Sequence, residues 1–155
     1  MKNMYYYDSP IGKIGIAEED GAVTDLFFRD EAKPQGTQLE ETDLLKEAGR
    51  QLEEYFGKKR KAFDLPLKLE GTEFQKRDWQ ELLKIPYGET RSYGEIAKAL
   101  GIPKGARAVG LANNRNPVSI IVPCHRVIGA DGKLVGYGGG LPIKEFLLNL
   151  EKEKQ

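Results

Sequence analysis

The chain has 155 residues, 39% of them apolar, with 24 Lys and Arg balanced by 24 Asp and Glu. That size suits one domain or two small ones, and no stretch approaches the ~20 apolar residues of a membrane helix. One Cys cannot close an internal disulfide, and one Cys with one His cannot supply the four ligands of a structural zinc site, so a cytoplasmic protein without a bound metal is expected. Met1–Tyr7 lacks the apolar segment of a secretory signal.

The first seventy residues read as a small α+β unit. Tyr5–Tyr7, Ile14–Ala17 and Val23–Phe28 are strand candidates, separated by turns at Asp8–Gly12 and Glu19–Gly21, which predicts an antiparallel meander. Leu44, Leu45, Ala48, Leu52, Tyr55 and Phe56 recur at helical spacing, with Gly57 as the stop. Phe63–Leu67 reads as an extended strand or linker. This half carries 11 Lys/Arg against 15 Asp/Glu, a balance of −4, and no catalytic signature.

The second half, residues 71–155, carries 13 Lys/Arg against 9 Asp/Glu, a balance of +4 that fits a polyanionic partner only weakly. Thr72 with Gln75 forms a capping box ahead of Phe74, Trp79, Leu82 and Leu83. Ser92 with Glu95 repeats the pattern and opens a helix from Tyr93 to Leu100, closed by Gly101. A second short helix follows over about 105–113, in which Ala106, Val109, Gly110 and Ala112 allow close packing. The pair outlines a helix-turn-helix, with Arg107 near the start of the second helix, where a recognition helix meets DNA; a plain helical hairpin gives the same outline.

Arg115–Val118 is a turn, and Ile120–Val122 an apolar run that reads as a buried strand. At its end stand the only Cys and the only His, adjacent, in Pro123–Val127. A thiolate is a strong nucleophile, and a neighbouring imidazole can take its proton; a small buried hydrophobe beside a structural His is the plainer alternative. Gly129–Gly132 is a reverse turn. Gly136–Leu141 is a glycine-rich loop in which Tyr137 could wall a ligand site, unless the loop is only a connector. The last helix begins near Pro142, with Ile143, Phe146, Leu147 and Leu150 as its expected buried face. Glu151, at the edge of that face, either holds an imidazole or is solvated.

Pro123–Val127, with Arg107–Gly110, Asn116–Val118, Gly136–Gly140, Lys144–Leu148 and Glu151 at matching separations, closely resembles the O6-alkylguanine-DNA alkyltransferases, also called methylated-DNA–protein-cysteine methyltransferases. The match runs without a gap from about residue 72 to 151; the first half resembles the family more loosely. The resemblance implies an α+β fold, with a ribonuclease H-like meander over residues 1–70 and a mostly helical, helix-turn-helix domain over residues 71–155 that binds DNA and accepts the alkyl group. It implies single-turnover repair of duplex DNA carrying O6-alkylguanine, with O4-alkylthymine a further candidate, by a monomer that needs no cofactor. Cys124 would be the nucleophile, His125 its base through a bridging water, and Glu151 the carboxylate orienting His125. Asn116 would fix the turn and polarise the site, and Tyr93 would donate toward the guanine. Arg107 would enter the base stack from the minor groove as the nucleotide is extruded. Tyr137 would wall the pocket with the Gly138 N–H near O6, and Ala106, Gly110 and Arg115 would complete the DNA surface. Glu151→Gln is then expected to slow transfer with little effect on folding.

Two departures from the family pattern stand out. Gly138 replaces a small hydroxyl residue of some members, and the N-terminal zinc ligands of others are absent. Two further functions compete. A lesion-binding module would leave Cys124 unmodified, and a cysteine hydrolase would turn over esters or amides, although no oxyanion-hole motif is evident.

Overall fold

The protein is described by a computed structural model covering residues 1–29, 31–137 and 139–152. The chain forms two compact units, one of Met1–Glu70 with Pro117–Ser119 and one of Gly71–Asn116 with residues 120–152.

In the first unit β1 (Lys2–Tyr7), β2 (Ile14–Glu19) and β3 (Ala22–Phe28) form the expected antiparallel meander. A fourth strand, β4 (Thr37–Leu39), pairs parallel with β1 and completes the order β3-β2-β1-β4. Three residues carry too little alternation to announce a strand. The central β2 is buried on both faces from Ile14 to Glu18. Gly15 faces the Phe27 ring so closely that any Cβ would collide with it, so an aromatic side chain fills the space a larger residue would take. Helix α1 (Asp43–Phe56) is capped by Thr42 Oγ1, which accepts from the Leu45 N–H at 3.3 Å, and it buries Leu45, Ala48, Leu52 and Tyr55. Gly57 follows α1 as expected, but with φ −81°; the left-handed residue is Lys58, φ 63°. The 63–67 segment is extended and meets the sheet at Val23, whose N–H donates to Pro66 O at 2.8 Å.

The second unit is built on α2 (Glu73–Leu82), α3 (Tyr93–Ala99), α4 (Ala106–Asn114) and α5 (Leu141–Lys152). Both capping boxes form. Thr72 and Gln75 exchange bonds of 3.0 and 3.1 Å, and Ser92 and Glu95 exchange bonds of 2.9 and 3.0 Å. Helices α3 and α4, joined through Gly101 at φ 81°, form the helix-turn-helix. α2 grips both: Trp79 Nε1 donates to Ala112 O at 2.9 Å, and Arg77 Nη2 to Leu100 O at 2.8 Å. A two-residue strand β5 (Arg91–Ser92) pairs parallel with β6 (Val127–Ile128). This pairing ties the chain just after the Cys-His dipeptide to the start of α3. Among the described residues no helix is long and apolar enough to cross a membrane.

Two sequence expectations fail here. Ile120–Val122 is buried but is not a strand: Ile120 and Ile121 form a turn, and Cys124–Arg126 coil into one turn of 3-10 helix. The buried face of α5 is Lys144, Leu147, Leu148 and Glu151, with Leu150, while Phe146 is 36% exposed. Both stripes obey helical spacing; the true one carries two charges, so apolar counting selects the wrong register.

Candidate active site

The site grows from an unusual backbone. Ile120 is β-branched yet has φ 72°, a conformation that costs on the order of 1–3 kcal/mol and clusters at functional sites. The turn it makes leads into the 3-10 helix, so Cys124 and His125 project from a coil rather than diverging across a strand.

Cys124 is 6% exposed, and burial pushes its thiol up to about 11. The resting sulfur is therefore protonated at neutral pH, and a base must remove its proton before it can attack. Three influences oppose that effect: the Asn116 amide, whose Nδ2 lies 3.4 Å from Sγ, the positive charge of Lys144, and a backbone hydrogen bond at Cys124 itself. Asn116 Nδ2 also donates to Val122 O at 2.8 Å, so one amide spans the approach to the sulfur and the sulfur itself.

His125 is fully buried, and burial holds its imidazole below the ordinary value although Glu151 pulls the other way. Its Nε2 lies 2.7 Å from Glu151 Oε2. Burial alone would raise the Glu151 carboxyl, but hydrogen bonds and charge from His125 and Arg126 outweigh it and hold the group well below the usual carboxylate range. An ionised carboxylate facing a neutral imidazole accepts from Nε2–H. That tautomer leaves the lone pair on Nδ1, which is buried and has no hydrogen-bond partner among the described residues. The His-carboxylate pair thus presents a base with its basic nitrogen uncommitted.

Glu151 gathers more donors than the sequence suggested. Arg126 Nε donates to Oε1 at 2.8 Å and Nη2 to Oε2 at 3.1 Å, while the Gly88 N–H reaches Oε1 at 3.2 Å. Gly88 has φ 81°, available at little strain only to glycine, and this turn aims the N–H at the carboxylate. Arg126 Nη1 also donates to Ile85 O at 2.7 Å, and the guanidinium lies 5.8 Å from the Tyr87 ring centre.

Tyr93, the first residue of α3, donates from its hydroxyl to Val135 O at 2.6 Å. Burial, then the nearby Cys124, push its phenol up to about 12. Lys144 is fully buried, and its Nζ donates to Val135 O at 2.9 Å, Gly136 O at 3.2 Å and Tyr93 Oη at 3.4 Å. Burial brings its ammonium down to about 8. An open groove of about 360 Å³ lies over this corner, walled by Tyr93, Ala106, Arg107 and Gly110 together with Leu111, Asn114, Val135 and Gly136. Leu111 is 62% exposed, an apolar side chain left at the lip.

The residues singled out from sequence therefore fall into separate sets. Cys124, His125, Asn116 and Glu151 are linked by side-chain bonds or adjacency. Tyr93, Ala106, Arg107 and Gly110 form the groove, whose lining does not include Cys124. Arg115 is exposed and Tyr137 half-buried, and neither belongs to that lining. Gly138 lies outside the described residues. Sequence reasoning missed Arg126 and Lys144. Arg126 sits inside the Pro-Cys-His-Arg run; Lys144 stands seven residues before Glu151, on the same helical face.

Two family models cover the chain. That described as "6-O-methylguanine DNA methyltransferase, ribonuclease-like domain" matches residues 4–69, and that described as "6-O-methylguanine DNA methyltransferase, DNA binding domain" matches residues 73–153. The chain is 58% identical over 153 residues to a methylated-DNA–protein-cysteine methyltransferase of Methanosarcina acetivorans, an alignment spanning 96% of this chain and 98% of the relative. It is 50% identical over 159 residues to the constitutive methyltransferase of that name from Bacillus subtilis, spanning 96% of each. A crystal structure of Mycobacterium tuberculosis OGT in complex with DNA aligns with a TM-score of 0.92 at 50% identity, covering 97% of this chain and 92% of that one. By sequence and by fold, this chain belongs to the 6-O-methylguanine DNA methyltransferase family.

Proposed function

We propose that the protein repairs O6-alkylguanine in duplex DNA by moving the alkyl group onto its own Cys124. The observation that carries this reading is the protonated, buried thiol beside an imidazole whose Nδ1 is uncommitted and whose Nε2 is held by Glu151. His125 Nδ1 takes the thiol proton, directly or through one water, and Glu151 stabilises the imidazolium. Sulfur then attacks the alkyl carbon. The S–C bond forms as the O6–C bond breaks, and the electron pair leaves on the purine. Tyr93 supplies a proton to that purine, and the thiol's proton restores the balance, so the products are unmodified guanine and a thioether. The S–C bond of a thioether is not readily cleaved, and the chain's single Cys is consumed in forming it, so each molecule acts once.

Residues 71–155 act as the DNA-binding and alkyl-acceptor domain, and residues 1–70 as the N-terminal domain. The extruded base enters by the groove. Arg107, on an exposed turn of α4, takes its place in the stack, while Ala106, Gly110 and Arg115 meet the backbone and Tyr137 and Gly138 border the base. The small side chains of Ala106 and Gly110 support close approach. The protein acts as a cytoplasmic monomer and needs no cofactor.

Intact-mass analysis after incubation with a methylated duplex tests this reading. One added methyl group on the Cys124 peptide is expected, and none in Cys124→Ser, which still binds the duplex. An unmodified wild-type protein, or normal transfer by Cys124→Ser, rejects it.

A further inference from the structure

Asp78 is an acidic side chain with no accessible surface, and the mechanism above makes no use of it. It sits on α2, which packs against α3 and α4. Its partner is Asn113 on α4. With the Asn113 amide nitrogen turned to the carboxylate, Nδ2 lies 2.5 Å from Asp78 Oδ2 and 3.2 Å from Val109 O; the opposite orientation would set its oxygen against acceptors only. A neighbouring residue on each helix repeats the grip, since Trp79 Nε1 donates to Ala112 O. Two consecutive α2 residues thus hold two consecutive residues of the last turn of α4.

That turn leads straight to the thiol. The Asn116 N–H donates to Asn113 O at 3.1 Å, and Asn116 Nδ2 reaches Cys124 Sγ at 3.4 Å. The path Asp78, Asn113, Asn116, Cys124 is unbroken. Asp78 also acts on the sulfur through space, because its charge opposes thiolate formation. Burial, then the charge of Glu81, push its carboxyl up to about 7, so that charge changes within the working pH range. Around it, α4 presents the Asn113 amide and keeps Arg107 and Arg115 exposed, and α3 keeps Glu95 and Lys98 exposed. The 3-10 turn packed on α2 contributes Cys124, His125 and Arg126, the last two committed to Glu151.

We propose that Asp78 is a positioning residue for alkyl transfer: through Asn113 it fixes the end of α4 that delivers Asn116 to the thiol, and its negative charge restrains the sulfur. The inference rests on the repair reading and extends it to a residue that touches neither substrate nor thiol.

The test follows the rate of Cys124 alkylation by iodoacetamide, and of methyl transfer from a methylated duplex, between pH 5.5 and 9. In the wild-type protein the alkylation rate should climb with a break near pH 7, where Asp78 becomes charged. Asp78→Asn keeps the shape without the charge. It should lose the break and react about threefold faster with iodoacetamide at pH 8, the scale of one screened charge acting on a buried group. Asp78→Leu, which also abandons Asn113, should slow methyl transfer at every pH while retaining cooperative unfolding. A wild-type alkylation profile without a break overturns the proposal and needs no variant. So does an Asp78→Asn profile parallel to wild type with methyl transfer intact. Failure of wild-type protein to accept a methyl group would instead sink the repair reading, leaving the alkylation arm to judge Asp78.

Discussion

At the scale of single residues, Glu151 does the most. Its two oxygens accept from His125, twice from Arg126 and from the Gly88 N–H. Its place on the last helix left it either holding an imidazole or solvated, and only the family resemblance assigned it to His125, which it meets at 2.7 Å. The Arg126 pairing was not legible, because nothing in local spacing says which of two adjacent cations a distant acid will meet. It also changes the expected outcome of a substitution. Glu151→Gln leaves a guanidinium that is 7% exposed without its counter-charge, so folding is not spared. A loss of about 3 kcal/mol in urea unfolding is expected, the usual penalty for breaking a buried pair from one side. Alkyl transfer should slow as well, since an amide cannot stabilise an imidazolium. Stability equal to wild type would mean that the Arg126 guanidinium does not depend on Glu151 for its counter-charge.

At the scale of elements, local signals were read well and long-range ones poorly. The capping boxes at Thr72 and Ser92 were visible because each is written within four residues, and both form. The three-strand meander was visible from alternation and turns. The 3-10 turn at Cys124 was not, since it depends on Ile120 adopting a left-handed conformation that its residue type disfavours. The face of α5 was misjudged by one position because Lys144 and Glu151 are buried against Tyr93 and His125, partners far away in sequence. The Ser92 cap has a local consequence that can be measured. Ser92→Ala removes the acceptor for the Glu95 N–H and should lower stability by about 1 kcal/mol. Because Tyr93 opens α3 and walls the groove, amide exchange should quicken first at the start of that helix. Exchange that quickens evenly over the whole chain would mean that the cap holds no local structure.

At the scale of the whole molecule, the site exacts a pH-dependent stability term. The Cys124 thiol has an ordinary value of 9.0 and is raised to about 11 in the fold. A folded value above the unfolded one means that stability is complete below pH 9 and is lost as the pH climbs through 11, by on the order of 2–3 kcal/mol. Thermal melts at pH 8 and pH 10.5 should show a larger fall for wild-type protein than for Cys124→Ala; equal falls would mean the sulfur is not held in its neutral form. That burial also governs how long the molecule keeps its one chance to act. A sulfur kept as a thiol and nearly closed off from solvent is a poor target for peroxides, metals and stray electrophiles. On the proposed mechanism the reactive form arises only when a proton moves to the imidazole, so an acceptor that serves once is kept in reserve until a lesion arrives.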